Sequence, residues 1–267
     1  MAFANLNNSN LMNASFNGVC LSRANLKEIN LTMANLNYTD LSYADLRKAI
    51  LMDANLCYAK LYSANLDESI LLSANLYGAI CKKISLGKAN LMGANMSRTI
   101  LEMGRLNKSN LMGADLSYAY LYKADLRGAN LYGASLNRAC LVGADLRNIS
   151  LIDANLKEAD LRGARLSHAK LKRANFSKAE LIGTDFVKAD LRGADFAGAN
   201  LMGADLSGAD LTEANLQGAN LRWATLVDAN LSKTNLLEVS FNETNLCWAN
   251  SILTKFMKDN NSETEEK

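Results

Sequence analysis

The chain has 267 residues with 29 basic and 27 acidic side chains, one His, five Cys and no Pro, and a formal net charge of +2. That near-neutrality argues against a surface built to attract nucleic acid or a strongly basic partner, and no apolar run approaches the 18 or more residues of a membrane helix. Residues 1–133 carry 13 basic and 9 acidic groups (+4) and residues 134–267 carry 16 and 18 (−2), a mild asymmetry.

One periodicity organises the chain. From Leu6 to Leu246 a large apolar residue recurs every fifth position, which is (246 − 6)/5 + 1 = 49 units. We call this position the centre; it is Leu except at Phe16, Phe176, Phe186, Phe196, Phe241, Met96 and Cys81. Two places before most centres stands Ala, and between them usually Asn or Asp, so the unit reads A-(D/N)-L-x-x. A five-residue period fits neither the helical nor the strand template. Within a unit, however, Ala and the centre are two apart and can face the same side. The next three residues must then turn the chain, so short straight segments and corners coil into a solenoid in which each coil completes its neighbour's core.

Residues 1–20 enter the array imperfectly, with Ser9 and Val19 in place of Ala. The expectation is that Met1–Phe3 folds over the open first coil or that two molecules meet there. Residues 21–150 are irregular: inward positions enlarge at Ile29 and Ile84, Gly104 shrinks one, and Ile50, Ile70, Ile80, Ile100 and Tyr120 precede centres. Residues 151–236 lie close to the consensus. Phe176 and Phe196 are 20 apart, as are Gly143, Gly163, Gly183 and Gly203, where glycine suits a corner with positive φ. After residue 237 the pattern decays. Ile252, Leu253, Phe256 and Met257 then recur at helical spacing, predicting a short lid over the last coil, and an acidic, polar end predicts disorder.

The A-(D/N)-L-x-x unit resembles the pentapeptide repeat family, in its cyanobacterial type, over roughly residues 2 to 250. That resemblance implies an all-β fold, a right-handed quadrilateral β-helix with four units per coil and about 12 coils. At the sheet spacing such a rod is about 55–60 Å long. The expected organisation is a β-helix over 1–250, a capping helix over 251–258 and a disordered acidic tail over 259–267. One family member regulates heterocyst differentiation through protein contacts, and others mimic duplex DNA to bind type II topoisomerases, which requires a strongly acidic rod.

Catalysis has little to stand on. His168 is the sole histidine, points outward, and has no partner base or nucleophile. The recurring Asp and Asn are read as corner residues bonding nearby backbone rather than as metal ligands. Cys20, Cys57, Cys81, Cys140 and Cys247 have spacings that suit neither disulfides nor a metal site. Lys27, Arg47, Lys48, Lys88, Lys108, Arg127 and Arg147 tend to one face, but Glu28, Asp45, Asp67, Glu68, Asp125 and Asp145 interrupt it, giving a solvated mixed-charge face. The remaining feature is an apolar outer stripe. With four units per coil, Met52, Leu72, Met92, Met112, Tyr132 and Ile152 follow centres on one face in successive coils, and Ile50 and Ile70 precede centres there. Adaptable Met on a surface suits a protein partner, although stacked apolar neighbours also stabilise a ladder by themselves. Trp223 and Trp248 are further outward aromatics.

The sequence therefore predicts a non-catalytic, cytoplasmic protein-protein interaction scaffold or regulator without cofactor, metal, small-molecule substrate, nucleic acid or membrane. It would be a monomer or an N-terminal end-to-end dimer whose partner-binding residues are Ile50, Met52, Ile70, Leu72, Met92, Met112, Tyr132 and Ile152. A topoisomerase-binding DNA mimic and a purely structural rod are the alternatives.

Overall fold

The register of the backbone is fixed by single-residue parallel bridges between positions twenty apart. They run without a break from Asn5↔Asn25 to Thr225↔Asn245 in a computed structural model that describes residues 1–249. Twenty residues hold four units, so each coil has four faces. The first face carries the centres Leu6 and Leu26 and their successors, the second Leu11 and Leu31, the third Phe16 and Leu36, and the fourth Leu21 and Leu41. Faces one and three are opposite, as are two and four. The predicted capping helix and acidic tail lie outside the described residues. Among those residues there is no helix, and β-structure is confined to one bridging residue per unit.

Hydrogen bonding explains the unit residue by residue. The N–H of a centre donates to the carbonyl just before the next coil's centre, as Leu26 does to Asp45 at 2.8 Å. The residue two after a centre donates upward as well, as Glu28 does to Arg47 at 2.9 Å. The third closes a turn back onto its own centre, as Ala34 does on Leu31 at 3.0 Å. The residue before the centre donates downward, as Asn55 does to Ala34 at 2.9 Å. Only the N–H directly after the centre lacks a backbone acceptor, and where Asn or Asp stands two places earlier its side chain can take it, as Asn30 Oδ1 does from Thr32 at 3.0 Å. Pro is therefore barred from four positions by the ladder. At the fifth it would cost only a side-chain bond, so the ladder alone does not account for its complete absence.

The residue two after each centre is left-handed. All 49 such positions and the equivalent Phe3 have positive φ, and 36 of these fifty hold a residue other than Gly, so the corner does not depend on glycine. At Gly163, for example, φ is +63° and an added Cβ would meet nothing within 4 Å. Phe3 is one of these corners, with φ 62°, and its N–H donates to Ser22. Met1–Phe3 thus starts the first coil instead of folding over it, which corrects one of the two expectations for that end.

The Ala and Leu columns make one continuous buried core. Where Ser or Thr replaces Ala inside it, the hydroxyl donates to a carbonyl, as Thr39 does to Phe16 at 2.7 Å and Ser69 to Leu66 at 2.6 Å. Phe176 and Phe196 stack on the third face with centroids 5.0 Å apart and planes 4° from parallel. Phe186 reaches across from the first face and meets both edge-on, at 5.9 and 6.0 Å. Ile84 and Gly104 form a matched pair one coil apart. A Cβ at Gly104 would lie 3.4 Å from Ile84 Cγ2, 3.3 Å from Leu106 Cδ1 and 2.9 Å from the Leu101 carbonyl.

Gly104→Ala alone is expected to overpack this layer and cost about 1–3 kcal/mol. Ile84→Ala alone leaves a cavity. The double variant restores the consensus pair and should lose at least about 1 kcal/mol less than the sum of the singles, checked by denaturant unfolding of all four proteins.

Candidate functional site

The predicted stripe is a real feature of the second face. Ile50 bridges Ile70, and Met52, Leu72, Met92, Met112, Tyr132 and Ile152 hold equivalent positions in six successive coils. Their exposure is uneven. Ile50, Met52, Ile70, Leu72 and Ile152 are half-buried, whereas Met92, Met112 and Tyr132 are 39%, 36% and 45% exposed. The accessible part is therefore the middle of the stripe. Asn90, Asn110 and Asn130 run beside it as an amide ladder, with Asn110 donating to Asn90 at 3.1 Å. At its upper end Asp153 and Arg173 pair through two bonds of 2.6 Å, and the Tyr132 hydroxyl also reaches the Asp153 carboxylate.

Charge is handled by a recurring local device. In every D-L-R sequence the Asp before the centre and the Arg after it both point outward over the same Leu, and the guanidinium closes on the carboxylate through two parallel bonds. Arg47 holds Asp45 at 2.8 and 2.6 Å, Arg127 holds Asp125 at 2.8 and 2.8 Å, and Arg192 holds Asp190 at 2.7 and 2.6 Å. Arg147 with Asp145 and Arg162 with Asp160 repeat the arrangement. On the first face this occupies Arg47, Arg127 and Arg147, while Lys27 lies 3.4 Å from Glu28 and Lys88 3.6 Å from Glu68. Most of the cations that the sequence collects on one side are thus spent on neighbouring carboxylates.

His168 stands exposed at a corner. Among the described residues no group of three His, Cys, Asp or Glu side chains is placed to hold a metal ion. No helix among them is long and apolar enough to cross a membrane. A shallow surface recess of about 350 Å³ lies between Tyr118, Asn137, Arg138, Asn155, Lys157 and Glu158, and Arg138 spans it to reach Glu158 at 2.7 Å. Trp223 and Trp248 are strongly exposed, and Trp223 donates its indole N–H to Glu243 one coil on.

Sequence reasoning missed a second aromatic surface. Of the nine tyrosines only Tyr132 lies on the second face; the others sit on the fourth face, beside the corner that leads into it or, for Tyr43, at the corner that leaves it. Tyr38 and Tyr58 stack at 5.3 Å with planes 10° apart, and Tyr77 meets Tyr58 edge-on at 5.5 Å. Ile80, Ile100 and Tyr120 form one bridge ladder on the fourth face, and Tyr122 stacks on Tyr120 at 6.2 Å. The signal was present in the twenty-residue offsets, but these tyrosines occupy three different places in the unit, so sorting only the residue after each centre passes over them.

The thiols differ in environment. Burial pushes Cys81 up to about 12, burial also raises Cys57, and a hydrogen bond with Ser22 lowers the exposed Cys20. Alkylation at pH 8 should therefore modify Cys20 before Cys57 and leave Cys81 untouched until the chain unfolds, as read by mass spectrometry of timed samples. The D-L-R pairs predict a pH dependence. The Arg bonds hold Asp45, Asp125 and Asp190 below the ordinary carboxylate value. A carboxylate depressed in the fold stabilises above its unfolded value of about 3.9 and loses that contribution as pH falls through the folded one. Thermal melts should thus be flat from neutrality to about pH 5 and decline below about pH 4. Replacing Arg47, Arg127 and Arg192 by Gln should flatten a small part of that decline, because the half-exposed guanidiniums are screened by solvent.

Relatives place this geometry in a known group. The chain is similar to HetL, a pentapeptide repeat protein involved in heterocyst differentiation regulation in Nostoc sp. strain PCC 7120. The two are 34% identical, 94% of this chain and 92% of that one are covered, and the TM-score is 0.33. It is also similar to Rfr23 of Cyanothece 51142, 37% identical over 38% of this chain and 63% of that one with a TM-score of 0.23. QnrB1, a plasmid-mediated fluoroquinolone resistance protein, is 14% identical over 95% of this chain and 98% of that one with a TM-score of 0.44. No curated protein sequence matches the chain. The model of pentapeptide repeats matches residues 1–32, 34–72, 69–107, 109–148, 149–186, 179–218 and 214–250, and the chain belongs to that family.

Proposed function

We propose that this chain is a non-catalytic interaction scaffold that presents a rigid face of its solenoid to a protein partner in the cytoplasm, as a regulator. The finer architecture belongs to the same proposal: a right-handed quadrilateral β-helix with (245 − 5)/20 = 12 coil steps between its first and last bridged residues. The observation that carries the functional reading is the row Met92, Met112 and Tyr132, exposed in three consecutive coils and extended below by Ile50, Met52, Ile70 and Leu72 and above by Ile152. Large apolar side chains in one row on a flat face gain little by staying in water.

Magnitudes define the kind of contact. From Met52 to Ile152 there are five coil steps, about 24 Å at the sheet spacing. The apolar area is then a few hundred Å², short of the roughly 800 Å² per partner of a standard interface. The stripe therefore serves as the apolar centre of a larger footprint or as a transient contact. A rigid backbone helps either way, because little conformational entropy is lost on binding. The stripe lies along the side of the solenoid, so the reading holds for a monomer and for an end-to-end dimer. Mimicry of duplex DNA is disfavoured by the guanidiniums that cover the carboxylates of the D-L-R pairs.

Met92→Asp combined with Met112→Asp should leave the thermal midpoint within a few degrees, since both side chains are exposed. The same variant should lose at least one protein that the wild type captures from source-cell lysate. Identical capture by a folded variant would remove the second face as the site.

A further inference from the structure

We propose that the fourth face and its two flanking corners, over residues 38–123, form a second docking surface whose occupant is an acidic segment of a protein partner. The proposal rests on the scaffold reading above but uses a different side of the molecule. Faces two and four are opposite sides of every coil, so the two surfaces do not merge.

The first support is composition. Tyr62, Tyr120 and Tyr122 lie on the face itself, and Tyr38, Tyr58 and Tyr118 line the corner leading into it. Tyrosine brings large contact area at low entropic cost and is enriched at protein interfaces. These rings are also held before any partner arrives. Tyr43 and Tyr62 meet edge-on at 5.3 Å, and Arg98 and Arg138 lie over Tyr118 at 5.4 and 5.9 Å. Gly78 continues the stack in another way: an added Cβ there would come 2.6 Å from Tyr58 Cε1, so the ring lies over bare backbone.

The second support is charge. The face and its corners carry Lys60, Lys82, Lys83, Arg98 and Lys123 against Asp40 and Glu102, which is 5 − 2 = +3. Lys82 is neutralised by Glu102 at 2.8 Å. Among the described residues no carboxylate lies within ion-pair distance of the other four cations. Lys123 is held over the Tyr122 ring at 5.1 Å, so at least one of them is pre-positioned. Fixed cations among apolar rings complement a segment that carries carboxylates and aliphatic side chains together.

Aromatic rings with Lys and Arg also suit single-stranded nucleic acid, and ring spacing decides between the two. The stacked rings lie 5.3 to 6.2 Å apart and already cover one another's faces. A base inserted between two rings needs about 7 Å, twice the ~3.4 Å rise of stacked nucleotides. The backbone ladder holds the coils at their spacing, so the rings offer edges and hydroxyls, which fit a peptide.

The test is fluorescence anisotropy of a short labelled peptide alternating Glu and Leu, with a Lys–Leu peptide and a labelled oligo(dT) as comparisons. The Glu–Leu peptide should bind, more weakly as salt rises, and the other two should not. Tyr62→Ala with Tyr122→Ala, and separately Lys60→Glu with Lys83→Glu, should each weaken it roughly tenfold or more. The Lys pair is fully surface-directed and keeps the rings, so it remains informative if the Tyr variant folds poorly. Met92→Asp with Met112→Asp should change the affinity less than about twofold, by the additivity of distant sites. Four results would overturn the proposal: no binding by the Glu–Leu peptide, equal binding by the Lys–Leu peptide, oligo(dT) binding that the Tyr variant abolishes, or loss of peptide binding in the Met92/Met112 variant alone. Lysate capture that ignores the Met92/Met112 variant while peptide binding follows the Tyr and Lys variants would reject the second face and leave the fourth standing.

Discussion

The backbone ladder between positions twenty apart governs everything else. Four of every five N–H groups donate to main chain, and where Asn or Asp precedes the centre its side chain can take the fifth. That accounting leaves the chain no freedom of register, because a single inserted residue would move every later Leu out of the core column. It also sustains the corners. A non-Gly residue in the left-handed region costs about 1–2 kcal/mol, yet Tyr, Lys, Arg, Glu and Trp all occupy it here. They stay because each such residue donates its own N–H to the next coil and sits inside a turn closed by the residue after it, so leaving the conformation would break two bonds at once.

Because the ladder and the Ala and Leu columns supply the fold, the outward positions are released from structural duty. The residue before the centre and the two after it can be nearly anything, and this chain uses that freedom unevenly. On the first face and in the D-L-R units it places compensating charges. On the second face it places Met, Ile and Leu, and on the fourth Tyr, Ile and Lys. Uneven use of free positions is where function becomes visible in a solenoid, since the core repeats the same statement in every coil.

Much of this was legible before any coordinates, and what was not has a common cause. The Phe176–Phe196 stack follows from their offset of twenty once the coil length is supplied, and so does the shared face of Met92, Met112 and Tyr132. The edge-on entry of Phe186 was hidden, because it depends on the width of the core between opposite faces, which no spacing reports. Ile84 and Gly104 were visible as irregularities but not as neighbours; the structure brings Ile84 Cγ2 within 3.4 Å of where a Cβ on residue 104 would lie. The D-L-R pairs escaped because an alternation reading puts Asp and Arg on the same side without saying that a guanidinium can fold back over one Leu. The corner glycines were read as a conformational need, and the 36 non-glycine corners show that the need is met without them.

Rigid opposition of the two proposed docking faces sets what a scaffold of this kind could do. A single flat partner cannot lie on both sides of the rod, so engagement of the second and fourth faces brings two segments together, from one wrapping partner or from two. With no hinge between the faces, the distance between the bound segments is the coil width and stays constant along the rod. Where both segments belong to one partner, binding of the first would raise the effective concentration of the second without any conformational change in the scaffold. A flexible linker would dilute that effect with its length, whereas here the ladder that fixes the register also fixes the separation. The same bonds that make the interior monotonous therefore give the exterior its capacity to hold two surfaces in one unchanging relation.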